Sequence, residues 1–141
     1  MCLLKIGKPQ IATKDMIVYK HIRKVEGKDS YETSYQFAPV VFKKVLRSTL
    51  NTYHNGSYLC VDIGLHSYVN EADARRQAQH FDEVLVQCTI TKGSTYYEGL
   101  YYGSTGKLNS IASNKLRYDK IISDFTIIPN ILSHSFNPYN Y

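Results

Sequence analysis

The chain of 141 residues has no tryptophan, only three cysteines and four prolines, and no apolar run close to the length of a membrane span. Each shortage excludes something. Cys2, Cys60 and Cys88 are odd in number and widely spaced, so they make neither a disulfide framework nor a CxxC half-site for zinc. Cys60 and Cys88 stand inside apolar runs and read as small core residues. The opening MCLLKIGKPQ is too short and too soon broken for a signal peptide. A reducing, cytoplasmic location without a membrane partner is therefore expected. His21, His54, His66, His80 and His134 show no metal-ligand spacing, and no metal site is expected. A GxSxG elbow and a P-loop are also missing. A pair of hydrolytic carboxylates could be assembled from Glu26, Asp62, Glu83 or Glu98 only by assuming contacts. A non-catalytic role without a cofactor ranks ahead of an enzyme.

What is present is tyrosine, 13 of them beside 5 phenylalanines, and a formal net charge of +5. A tyrosine ring offers an apolar face and a polar tip, which suits half-buried strands and ligand surfaces. The positive charge favours anionic partners. The basic residues are dispersed, with KHIRK (20–24) and FKKVLR (42–47) the densest groups. That pattern reads as solubilising charge before it reads as a nucleic-acid surface.

Along the chain, DMIVYKHIRK (15–24) alternates as a first strand, and VEGKDSYETS is a loop or hairpin tip. FAPVVFKKVLRSTL is open between a strand and a helix over 39–50, since Val41 and Val45 recur at helical spacing while Val-Val-Phe suits a strand. Asn55-Gly56 marks a hairpin turn, and SYLCVDIGLHSY is a strand interrupted at Gly64. A helix is predicted over 70–81, capped by Asn70, with Ala74, Ala78 and Phe81 as its apolar stripe and Glu71–Arg75 as an i, i+4 pair. EVLVQCTI (83–90) is the best strand. A glycine-punctuated tyrosine segment and IASNKLRYDKII add further strands. The fold class is α+β, a twisted and mainly antiparallel sheet with one clear helix. One domain spans 1–141, with 1–14 and 133–141 extended or partly mobile at its ends.

Three places carry candidate ligand chemistry. At GLHSY, His66 and Ser67 stand between a strand end and the helix start, where backbone N–H groups favour an anion or where Asn70 simply caps the helix. Lys92 in TKGS offers a phosphate contact, and Gly103–Gly106 a nest of N–H groups or a plain hairpin loop. The ligand set is Lys20, Arg23, His66, Ser67, Tyr68, Lys92 and Tyr97: cations for phosphate, tyrosines for stacking, Ser67 for orientation.

The order VYKHI, GLHSY, an alanine helix, then VLVQCTITKGSTYY resembles the ADP-ribosyltransferase fold, over roughly 17–122. The resemblance implies NAD binding, with Lys20 or His21 at the basic position and His66–Tyr68 where that family carries Ser-Thr-Ser. IASNKL shows Asn114 where the family has its catalytic Glu, so Glu98 is the carboxylate left for transferase activity. The chain is also similar in composition to small bacteriophage and prophage accessory proteins. That likeness implies sequestration of a host immune signalling nucleotide, an anti-defence role. The leading expectation is thus non-catalytic binding of a small phosphate-bearing nucleotide, ADP-ribose-like or cyclic. The alternatives are the transferase, and a virion or protein-interaction module whose tyrosines make a homo-oligomer or another protein contact.

Overall fold

A computed structural model describes residues 3–4, 6–33, 38–77, 82–103 and 106–123. In chain order the elements are β1 (Gln10–Ile11), β2 (Met16–Lys24), β3 (Tyr31–Thr33), β4 (Pro39–Val40), β5 (Val45–Arg47), β6 (Asn51–Asn55), β7 (Tyr58–Ile63), β8 (Leu65–Tyr68), α1 (Glu71–Arg76), β9 (Glu83–Ile90), β10 (Thr95–Gly103), β11 (Gly106–Ser113) and β12 (Lys115–Ser123). The main sheet runs β1-β10-β11-β8-β2-β9-β12-β5, with β3 on β2 and β4 on β3; β6 and β7 form a separate hairpin. Every pairing is antiparallel.

The sheet is rolled. β11 and β12 are four strand steps apart in that order, roughly 19 Å on a flat sheet. In the chain they are joined by Asn114 alone, a reach of under about 8 Å. The sheet therefore curls until the two strands meet at that corner. Asn114 secures it twice: its N–H donates to Thr95 O (3.0 Å), and its Oδ1 accepts from Thr95 N (2.9 Å).

Alternation decides which face turns inward. Directly opposed residues share a face, and the pairs Val18–Cys88–Tyr118 and Ile22–Val84 look into the roll. With Leu65, Val86, Ile90, Tyr96, Ile111 and Leu116 they form one core. The intervening Tyr19, His21, Leu85, Leu108 and Tyr68 look outward, where α1 packs on them through the fully buried Ala74.

The N-terminal segment is extended and hydrogen-bonded. Leu3 exchanges bonds with Val61 on β7, and Leu4 with Leu100 on β10, so this segment ties the β6–β7 hairpin to the main sheet. Residues 133–141 lie outside the described residues.

The candidate second helix at 39–50 is not formed. Pro39–Val40 and Val45–Arg47 are strands, separated by a turn in which Lys43 adopts φ 70. That left-handed backbone stops any helix, and the β-branched valines pack better on the pleat. Lys43 N–H donates to Tyr118 O (2.8 Å), which brings this strap against β12. The predicted helix at 70–81 begins as expected. Asn70 Oδ1 accepts from Ala72 N (2.8 Å) and Asp73 N (3.3 Å), and Arg75 pairs with Glu71 (2.8 Å). It is shorter than predicted, because Gln77 is already extended at ψ 145; 78–81 lie outside the described residues. The Asn55-Gly56 turn joins β6 to β7 with Gly56 at φ 65, and Gly64 divides β7 from β8.

Candidate functional site

The GLHSY junction is a strand turning into a capped helix. A Cβ on Gly64 would lie 2.7 Å from Leu50 Cδ2, so the glycine permits close packing at the corner. All four residues of β8 are buried. The N–H groups of Ala72 and Asp73, which would meet an anion there, are taken by Asn70. Helix α1 has only six residues. The donors expected to meet an anion at its start are thus taken by the chain itself.

The seven predicted ligand residues fall into separate places. His66 opposes Ala112, and Tyr97 opposes Ala112 from the other side, so His66 and Tyr97 share the outer face. Tyr68 lies on that face too, tilted against Tyr101 at 5.9 Å and edge-on to His21 at 6.0 Å. Arg23 is also outward, ion-paired with Glu32 (3.2 Å) and Asp82 (3.7 Å). Lys92 sits in the tight turn after β9, its N–H on Asp15 Oδ1 (2.8 Å). Asp15 and Arg23 lie at opposite ends of β2, roughly 25 Å apart at the strand rise, so Lys92 and Arg23 do not serve one small ligand. The same turn buries Ser94, whose hydroxyl meets Thr91 Oγ1 at 3.1 Å. Ser104 and Thr105 of the proposed N–H nest lie outside the described residues.

Lys20 and Ser67 behave differently. Tyr19 pairs with Tyr68 on the outer face, so by alternation the next residues along the two strands, Lys20 and Ser67, fall on the inward face. Lys20 also opposes Val86. Inward of the same sheet stand Cys88 and Tyr118, a directly opposed pair one level below. Three polar groups therefore enter a core otherwise made of Val18, Ile22, Val86 and Ile111.

None of the three is satisfied. Ser67 Oγ and Tyr118 OH are buried without a hydrogen-bond partner, in residues that are 1% and 0% exposed. Lys20 makes no ion pair among the described residues. It is half-buried, and desolvation pulls its ammonium down to about 8, resisted by the Cys88 thiol. Burial in turn pushes Cys88 up to about 12, against the pull of the Lys20 charge. Burial raises the Tyr118 phenol well above its usual range, reinforced by Cys88. At neutral pH the inward face thus carries the Lys20 cation and the neutral donors of Ser67 and Tyr118, and no described carboxylate is paired with Lys20. An unmatched buried polar atom costs about 1–3 kcal/mol, so the two buried hydroxyls, with a half-buried unpaired ammonium on the same face, favour an external partner.

Sequence reading singled out Lys20 and Ser67 for phosphate but missed Tyr118. The alternation Leu116, Tyr118 in KLRYDKII was the available signal, since it puts Tyr118 on the same face as a core leucine. On the outer face His66 is 7% exposed, with Nε2 unpartnered. Desolvation, then the Lys20 charge through the sheet, lowers it to about 4, while the backbone of Val61 and Gly64 acts in the opposite sense. Glu98 is exposed on β10, in the cross-strand row Glu98–Ile111–Ser67. Among the described residues, no group of three or more His, Cys, Asp or Glu could hold a metal ion, and no helix is long and apolar enough to cross a membrane. No protein-family model, curated protein or solved structure matches the chain.

Proposed function

We propose that this chain binds a small phosphate-bearing ligand of the nucleotide class, without catalysis, inside the rolled sheet. The observation that carries the reading is the unpaired Lys20 ammonium facing the same interior as the unbonded hydroxyls of Ser67 and Tyr118. A phosphate supplies what that set lacks: negative charge for the lysine and acceptor oxygens for two O–H donors. Rolled antiparallel sheets of comparable strand number are filled by side chains or hold one small ligand. The net charge of +5 draws an anion toward the fold. The role fitting the phage-protein resemblance is retention of a signalling nucleotide.

The test is thermal unfolding of the purified chain with NAD, ADP-ribose, cyclic nucleotides and inorganic phosphate. A bound ligand at a hundredfold excess over its Kd stabilises by about 2.7 kcal/mol. That gain is expected to vanish in Lys20→Met and shrink in Ser67→Ala. No shift with any of these ligands, or an undiminished shift in Lys20→Met, overturns the reading.

A transferase reading has one supporting observation, the row that brings Glu98 to the same sheet face as Ser67. Transfer of radiolabel from NAD, abolished in Glu98→Gln, would favour it over simple binding.

A further inference from the structure

Lys20 has a second chemical capacity. It projects from the middle of β2 between Val18 and Ile22 and opposite Val86, all three fully buried or nearly so. No described carboxylate holds it. The hydroxyls of Ser67 and Tyr118 share its interior without partners. A lysine in apolar surroundings, with no described carboxylate paired to it and with unbonded hydroxyls on the same sheet face, is the arrangement that turns an ammonium into a nucleophilic amine.

We propose that Lys20 captures aldehydes by forming an imine inside the rolled sheet. The inference rests on the same interior site as the binding reading, but not on the ligand being a nucleotide. In the reaction the neutral Nζ attacks the carbonyl carbon and forms a C–N bond. The carbonyl π pair moves to oxygen, which takes up a proton to give a carbinolamine. Loss of water then leaves the C=N bond: the two hydrogens of the amine depart with the former carbonyl oxygen. Amine and aldehyde give imine and water, with nothing oxidised or reduced. The O–H groups of Ser67 and Tyr118 are the interior donors for that oxygen as its charge develops.

Burial favours the neutral amine. Relative to an ordinary lysine, its neutral fraction near neutral pH rises by roughly three hundredfold. Part of this gain is offset because a less basic amine is a weaker nucleophile.

The experiment treats the full chain with pyridoxal and, separately, with pyridoxal phosphate near neutral pH. Imines are trapped by borohydride and located by peptide mass spectrometry. Lys20 is expected to carry label at least about tenfold over the exposed Lys8, Lys14 and Lys92. Its labelling is expected to rise with pH to a midpoint near 8. Lys20→Arg, which keeps the charge, should lose that label, and Ser67→Ala should slow it. Labelling by both probes supports an aldehyde site. Labelling by pyridoxal phosphate alone supports one that also needs the phosphate. Label spread evenly over the exposed lysines, or absent from Lys20, overturns the inference. A thermal shift with nucleotides but no Lys20 label would sink this inference and leave the binding reading intact. Label without any nucleotide shift would do the reverse.

Discussion

Tyr19 and Tyr68 pair across β2 and β8, and the residues next to them turn to the other face, where among the described residues Lys20 makes no ion pair and Ser67 Oγ no hydrogen bond. A cation and a hydroxyl so placed weaken the core that surrounds them. Lys20→Met, of similar length and without charge, is expected to raise stability by about 1–3 kcal/mol in urea unfolding, because it removes a desolvated ammonium. The same variant is expected to lose the ligand-induced thermal shift. Gain of stability with loss of binding marks a residue kept for its ligand. A destabilised Lys20→Met would show instead that the ammonium has found compensation inside the protein.

His66 predicts acid sensitivity. Its folded value lies near 4, below the ordinary 6.5. Between those two pH values the unfolded chain binds the extra proton and is favoured. Stability fully present above pH 6.5 is therefore lost as pH falls toward 4. The swing is on the order of 3 kcal/mol. Urea midpoints across this window, in the native chain and in His66→Gln, measure it; an equal acid loss in both would assign the effect elsewhere.

Gly99 lies where the N-terminal segment crosses β10. A Cβ there would sit 2.6 Å from the Leu4 carbonyl oxygen, and backbone cannot yield as a side chain does. Gly99→Ala is expected to cost about 1–3 kcal/mol. It should also raise amide exchange at Leu4 and Leu100, which bond each other at 2.7 Å. Unchanged exchange at both would mean that the strands shift together to make room.

Asp119 stands at an irregularity in the β9–β12 register, bonded to Thr89 Oγ1 (2.5 Å) and Arg117 Nε (2.7 Å). Asp119→Ala is expected to destabilise by about 1–3 kcal/mol, since Thr89 is 1% exposed and loses its carboxylate acceptor. Thr89→Val together with Asp119→Ala should recover part of that loss. A double variant no better than the single would put the cost in the backbone irregularity.

Local signals in the chain reach as far as local physics does. The alternation of MIVYKHIRK and EVLVQCTI placed β2 and β9, and Asn55-Gly56 placed the hairpin turn, because pleat and turn chemistry act within a few residues. The start of α1 was legible in Asn70 and Glu71–Arg75 for the same reason. The segment after Phe37 was not, since its valines fit both periods and the deciding contacts come from Tyr118 and β12, far along the chain. The site was half legible. Residue chemistry pointed to Lys20 and Ser67, but a list of cations and tyrosines does not say which face each one takes. Register does, and it sends His66, Tyr68 and Arg23 to the opposite side.

The stitch made by Leu3 and Leu4 also has a temporal side. During synthesis these residues leave the ribosome long before Val61, and longer still before Leu100. Until those partners emerge, an apolar stretch and its unpaired backbone stand open to other chains. Closing the hairpin onto the sheet must then be a late event, waiting on contacts spread over most of the described sequence. Nascent chains released before β10 is complete should therefore be the ones that need a chaperone.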